Sequence, residues 1–140
     1  MPTPQENDRV ARAEQLLRSI LDGAPDVSLL AAGFRYEQHF GNTEGVYLGE
    51  EGLERWIETF YEVWDRANLT VEGVRRAGDR LGLDILVKVR ARQTGIEVEM
   101  RATQIFEFSA DGLITRMDAF NETGGAERAL QGERDGRTPA

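Results

Sequence analysis

The sequence predicts an α+β domain in which helices pack on one face of a curved antiparallel sheet and leave an internal pocket for a small, mostly apolar molecule. Apolar residues recur at helical spacing in the first half of the chain. From Leu69 onward they alternate with polar residues, which is typical of strands with one buried face. The 140 residues include no cysteine, so we expect a single core held by packing alone.

Three helices are expected in the N-terminal and central parts of the chain, with the sheet wrapped around them. The first begins near Asp8 and ends at Gly23, after apolar positions at helical spacing. A short second helix is expected between a capping Asp26 and Gly33. The third carries an apolar stripe formed by Leu53, Trp56, Ile57, Phe60, Tyr61 and Trp64.

The strands are expected at 34–40, between the second and third helices, and then at 69–77, 80–92, 96–108 and 113–121. Tight turns between the later strands would pair Val89 with Met100, and Gln104 with Met117, on one face of the sheet. This register separates apolar pairs from opposite-charge pairs, although it places Lys88 opposite another cation. A slip of one residue would turn every side chain to the other face.

The composition limits the partners and the location of the protein. With 25 acidic and 17 basic residues the net charge is -8, which repels nucleic acid and anionic membranes. No apolar run is long enough to span a membrane, and the first residues lack a secretion pattern, so a cytoplasmic protein is predicted. A single domain is expected over 1–132, followed by a polar tail over 133–140 that is predicted to be disordered.

Three short segments resemble a known family. They are Tyr-Leu-Gly-Glu-Glu-Gly at 47–52, Ala-Gly-Asp-Arg at 77–80 and Phe-Ser-Ala-Asp-Gly-Leu-Ile at 108–114. Together with the order of elements, they are similar to the SnoaL-like branch of the nuclear transport factor 2-like superfamily. The resemblance implies a cystatin-like cone with an internal pocket, a scaffold that serves isomerases, cyclases, dehydratases, epoxide hydrolases and non-catalytic binding proteins.

The resemblance also implies where catalytic groups would lie. In proteins similar to ketosteroid isomerase, the general base would match Gln38, the protonated acid Gln104 and the tyrosine Leu16. SnoaL-like cyclases use an acid on the last strand, where this sequence has Ala119. The usual isomerase and cyclase acids are therefore not expected here, and an amide at the base position cannot accept a proton at neutral pH.

Eight residues are candidates for ligand binding. The amides of Gln38, Gln104 and Asn121 fall on the predicted pocket face, where they would either bond to one another or orient a ligand carbonyl or hydroxyl. The other candidates are Tyr36, Trp56, Phe60, Met100 and Met117. The favoured hypothesis is a protein that binds a small apolar molecule, with no metal and no cofactor, since the chain has one histidine and no cysteine.

An enzyme is the main alternative: an isomerase, cyclase or hydrolase that uses Asp118 or His39 as acid or base. The usual pKa of histidine suits neutral pH, but strand alternation with Gln38 directs His39 away from the pocket. Asp118 would face the pocket only if the last strand contained a one-residue bulge. A third hypothesis is a dimerisation domain with a vestigial pocket.

A homodimer is expected through the outer face of the sheet. There Leu86, Ile105 and Phe120 lie among charged residues, a composition that contact faces often have. The resemblance favours the same arrangement, because these cone folds commonly dimerise through the outer sheet. In such a dimer Asp118 would pair with Arg101.

Overall fold

The computed structural model of the protein describes residues 4–40, 43–121 and 123–130. The helices are α1 (Pro4–Leu21), α2 (Gly49–Val63) and α3 (Thr123–Leu130). The strands are β1 (Leu30–Phe40), β2 (Thr43–Leu48), β3 (Trp64–Ala77), β4 (Arg80–Ala91), β5 (Glu97–Phe108) and β6 (Ile114–Phe120). None of the described helices is both long enough and apolar enough to cross a membrane.

The sheet has the strand order β2-β1-β6-β5-β4-β3. β1 runs parallel to β6, and the other neighbouring pairs are antiparallel. The α+β class is therefore confirmed, but the expectation of a fully antiparallel sheet is wrong for this pair. Alternation in a strand shows which side chains are buried and not the direction of the neighbouring strand. The edge strand β2 is not among the strands predicted from the sequence.

The prediction of a short second helix between Asp26 and Gly33 is wrong. Between α1 and β1 the chain forms only one turn of 3-10 helix, Val27–Leu29, capped by the side chain of Asp26. β1 already begins at Leu30, so Gly33 lies inside a strand and does not end a helix. Two long helices therefore face the sheet, and the turn between them is too short to bury a helical face of its own.

Gly52 allows α2 to lie close to the strand that precedes it. A Cβ atom at Gly52 would lie 2.7 Å from the backbone carbonyl carbon of Tyr47, closer than real Cβ contacts. The helix also begins with Gly49 at φ 65°, in the left-handed region that favours glycine. The segment at 47–52 therefore sets how α2 approaches the sheet.

The β4–β5 pairing is shifted by two residues from the predicted register. Val87 lies opposite Met100, and Lys88 lies opposite Glu99 instead of Arg101. The observed register replaces a like-charge pair with an ion pair, in which the Lys88 Nζ to Glu99 Oε1 distance is 3.8 Å. Because the shift is two residues, each side chain stays on its predicted face.

Two cores lie on opposite faces of the sheet. The larger core lies between the inner face of the sheet and the helices α1 and α2. On the outer face, α3 covers Ile105 and Phe120, which are only 0% and 3% exposed. The sequence suggested that these two residues belong to an exposed outer face, and this prediction is wrong because α3 covers them. The expected domain boundary at 132 and the tail over 133–140 lie outside the described residues.

Candidate functional site

A cavity of about 570 Å³ lies between the two long helices and the inner face of the sheet. α1 contributes Leu17, Ile20 and Leu21, and α2 contributes Trp56 and Phe60. The sheet contributes Tyr36, Leu69, Ile85, Val87, Met100, Arg101, Ala102, Gln104, Met117 and, just beyond β6, Asn121. The wall is mostly apolar, and its few polar side chains are concentrated in the sheet.

Seven of the eight candidate ligand-binding residues line this cavity: Tyr36, Trp56, Phe60, Met100, Gln104, Met117 and Asn121. The eighth, Gln38, is buried and hydrogen-bonds to the Tyr36 hydroxyl, but it does not line the cavity. Asn121 is solvent-exposed, unlike the buried Gln104. The amides of Gln38, Gln104 and Asn121 therefore do not meet as one group in the cavity wall.

Sequence reasoning missed the part of the wall that α1 supplies. Leu17, Ile20 and Leu21 are in the apolar stripe that predicts the helix, so a signal was present. That signal cannot separate a side chain that fills the core from one that borders a cavity, because both are apolar and buried. Only the distance between α1 and the sheet distinguishes them.

Aromatic rings form a connected part of the wall. The Tyr36 and Trp56 rings meet edge to face with centroids 5.6 Å apart, and Trp56 stacks on Phe60 at 5.1 Å. Tyr36 also stacks on Tyr47 at 5.9 Å, on the side of β2. Such contacts fix ring positions. They give the cavity a rigid apolar surface that joins α2 to β1.

The polar end of the cavity centres on the Tyr36 hydroxyl. Burial raises the pKa of Tyr36 strongly, and hydrogen bonds from Gln38 and Gln104 only partly oppose this effect. The negative charges of Tyr47, when ionised, and of Asp118 raise the Tyr36 pKa further. Tyr36 therefore keeps its proton at neutral pH and presents an uncharged hydroxyl group.

Asp118 and His39, the two candidate catalytic residues, lie on the outer face of the sheet and do not line the cavity. β6 does contain a bulge, at Thr115, since Ile114 pairs with Phe108 while Arg116 pairs with Glu107. The bulge precedes Asp118 and turns Ile114 into the inner core. Asp118 stays on the outer face because the inward turn affects the residues before the bulge.

On the outer face, Asp118 belongs to a buried network between β1 and β6. His39 Nε2 lies 3.0 Å from Asp118 Oδ1, and Arg116 donates to Asp118 Oδ2 from Nε at 2.8 Å and to Oδ1 from Nη2 at 3.0 Å. Arg116 Nη2 also donates to Glu37 Oε2 at 2.7 Å. Among the described residues Asp118 therefore pairs with His39 and Arg116, while Arg101 pairs with Glu72.

Glu37, His39 and Asp118 are also the group, among the described residues, whose ligand atoms lie close enough to hold a metal ion, all within 4.8 Å. Arg116 bonds to both carboxylates of this group. A cation in the same place would have to displace the guanidinium and would be repelled by its charge. The arrangement therefore fits an internal ion network better than a metal centre.

Solved structures from several bacteria are similar to this fold. A proposed SnoaL-like polyketide cyclase from Jannaschia sp. CCS1 aligns with a TM-score of 0.72 at 18% identity, covering 93% of this chain and 96% of that one. A protein of ketosteroid isomerase-like fold from Catenulispora acidiphila, in complex with trimethylamine, aligns at 0.68 with 15% identity, covering 91% and 97%. A Mycobacterium tuberculosis protein in complex with estradiol-17β-hemisuccinate aligns at 0.67 with 16% identity, covering 83% and 95%.

At these identities the likeness establishes the fold alone. No curated protein matches the sequence. A family model described as the SnoaL-like domain matches residues 22–117, which is more than half of the chain. The family match and the cone fold agree with the short segments that first indicated the resemblance, and the protein therefore belongs to the SnoaL-like family of the nuclear transport factor 2-like superfamily.

Proposed function

We propose that this SnoaL-like protein binds a small, mostly apolar molecule in the cavity, without the acids of an isomerase or a cyclase. The construction of the cavity carries the proposal: an apolar and aromatic wall surrounds a small set of buried polar groups at Tyr36 and Gln104. Small-molecule sites commonly have this construction, and the cavity volume falls within their usual range of roughly 300–1,000 Å³.

The cavity favours binding over acid–base catalysis. Among the described residues that line it, only Tyr36 and Arg101 can ionise. Tyr36 keeps its proton, and the Arg101 side chain is 67% exposed and bonded to Glu72. Neither group can act as a general base at neutral pH. The alternative in which Asp118 or His39 is the acid or base gains no support, because both lie on the other face of the sheet.

Similar structures make a ligand in this place reasonable. The Catenulispora acidiphila and Mycobacterium tuberculosis proteins were both solved with small molecules. Their ligands differ greatly in size and charge, so the shared fold supports a ligand-binding cavity without defining its occupant.

The test is a titration with prodan, an uncharged apolar dye whose emission depends on its surroundings. We expect saturable binding by the wild type. Ala102→Trp, which places a bulky ring in the cavity, should weaken binding by about tenfold or more. Ala110→Trp, in the exposed turn between β5 and β6, is the matched control and should bind like the wild type. Unchanged dye affinity in a folded Ala102→Trp variant would rule out this cavity as the binding site.

We further propose that the chain forms a homodimer through the part of the outer sheet face that α3 leaves open. That part includes the half-buried Leu86 beside the exposed Lys88 and Arg101. Ile105 and Phe120 cannot contribute directly, because α3 covers them.

Cytoplasmic location stays a prediction.

A further inference from the structure

The polar end of the cavity contains an oxygen atom that has no hydrogen-bond partner among the residues the structure describes. Gln104 is 7% exposed and lines the cavity. Its side-chain oxygen Oε1 is fully buried and accepts no hydrogen bond from any described residue. Buried polar atoms in native proteins nearly always have a partner, so an exception on a residue that lines a cavity points to a group that the ligand supplies.

Building on the proposed function, we infer that the ligand of this cavity carries an uncharged hydrogen-bond donor, an alcohol or an N–H group, which donates to Oε1 of Gln104. A ketone is the wrong partner, because its oxygen offers lone pairs and no proton to another acceptor. The preference is therefore the reverse of that of a site built to hold a ligand carbonyl.

The surroundings of Gln104 leave its oxygen as the open position. The Gln104 amide lowers the pKa of Tyr36, as an N–H group does when it donates to a phenol oxygen, so the nitrogen side of the amide is already engaged. Across the neighbouring strands, Gln104 lies opposite Leu83 and Ala119. Neither side chain has a donor, and Oε1 accepts no hydrogen bond from the Tyr36 hydroxyl either. The cavity that Gln104 lines is therefore the side from which a donor would approach.

The charges around the polar end disfavour an anionic ligand group there. The carboxylate of Asp118 is among the causes that raise the pKa of Tyr36, so it disfavours a second negative charge at this hydroxyl. The one cationic side chain that borders the cavity, among the residues the structure describes, is the exposed Arg101. A carboxylate at the polar end would meet repulsion from Asp118 with no buried cation among the described lining residues to compensate it. A neutral donor would instead meet the unpaired oxygen of Gln104.

Three compounds with the same ring skeleton separate donor from acceptor. 9-Fluorenol carries a hydroxyl, 9-fluorenone carries an acceptor alone, and fluorene carries neither. We expect the wild type to bind 9-fluorenol about tenfold more tightly than 9-fluorenone by calorimetry or prodan displacement. Gln104→Leu should reduce this ratio to near unity and keep its affinity for fluorene. Gln93→Leu, in the exposed turn between β4 and β5, is the matched control and should keep the ratio.

The outcomes distinguish this inference from the function on which it rests. Equal affinity for 9-fluorenol and 9-fluorenone, or tighter binding of 9-fluorenone, would overturn the donor preference and leave the cavity as a binding site. Failure of fluorene and both derivatives to bind the wild type would overturn the proposed function and the inference together. If Gln104→Leu does not fold, Gln104→Met supplies the same comparison, and an unchanged ratio in that variant would overturn the role of Gln104.

Discussion

The imidazole Nε2 of His39 lies 3.0 Å from the carboxylate of Asp118, on the sheet face opposite the cavity. His39 is on β1 and Asp118 is on β6, so the contact joins the one parallel pair among the described strands. The His39 ring also stacks on Phe120, with ring centroids 4.3 Å apart, and Phe120 packs against α3 in the outer core. This pair therefore connects the strand junction to the outer core.

Removing the Asp118 carboxylate should destabilise the fold without affecting the cavity. Asp118→Ala would take from Arg116 a carboxylate that accepts two of its hydrogen bonds, and from His39 its nearest partner among the described residues. We expect the free energy of unfolding to fall by about 3 kcal/mol, the usual size of the effect when one member of a buried ion pair is lost. Urea unfolding measures the loss.

Asp111→Ala, in an exposed turn, is the matched control and should change stability by less than about 0.5 kcal/mol. In the absence of urea, both variants should bind prodan with the same affinity. Loss of dye binding in a folded Asp118→Ala protein would instead indicate that this carboxylate acts on the cavity.

The outer core should depend on a ring that the sequence suggested was exposed. Phe120 packs beneath Ala126, Ala129 and Leu130 of α3. Phe120→Ala should therefore lower the free energy of unfolding by about 3–5 kcal/mol, as truncation of a buried aromatic side chain does. Val74→Ala, at a partly exposed position, should cost less than about 1 kcal/mol. Similar losses in the two variants would contradict the packing of α3 on this face.

The faces of the strands could be predicted from the sequence, but the partners along them could not. Alternation placed Gln104 and Met117 on the inner face, as the structure does. The exact opposition of residues depends on turn geometry, and both hairpins are offset by two residues, an error that alternation cannot detect. The parallel contact of β1 with β6 joins residues far apart in sequence, so no local pattern reports it.

The sequence predicted only those parts of the candidate site that depend on which face of a strand or helix a side chain occupies. Tyr36 and Trp56 come from a strand face and a helix stripe, both of which the sequence shows. The burial of Phe120 on the outer face depends instead on α3, whose sequence contains Gly124 and Gly125 and so has a weak helical pattern. The sequence could not show that this part of the outer face would be covered.

The homodimer proposal makes a prediction at Leu86. This side chain is on the outer face of β4, between the cavity-lining Ile85 and Val87. If the open part of that face is the contact, Leu86→Asp should place an unpaired charge in it and shift the protein to monomer in sedimentation at tens of micromolar. Val27→Asp, at an exposed position on the 3-10 turn that precedes β1, should leave the dimer intact. A monomeric wild type would contradict the proposal.

Tyr36 should make the protein less stable at alkaline pH. Its pKa is raised in the folded state by burial, so up to pH 10, the usual pKa of tyrosine, both folded and unfolded chains keep the proton and the contribution to stability is complete. Above pH 10 the unfolded chain loses this proton while the folded chain retains it. Stability must then fall by up to about 1.4 kcal/mol per pH unit from this group alone.

Tyr36→Phe removes this contribution, so its free energy of unfolding should decline less steeply above pH 10 than that of the wild type. Met117→Leu is the control, because it alters the same cavity wall with little change in volume and leaves the hydroxyl in place. Urea unfolding at a series of pH values from 8 to about 11 gives the three slopes. Equal slopes for the wild type and Tyr36→Phe would show that the folded state does not hold the Tyr36 proton, and the polar end of the cavity would then have to accommodate a phenolate.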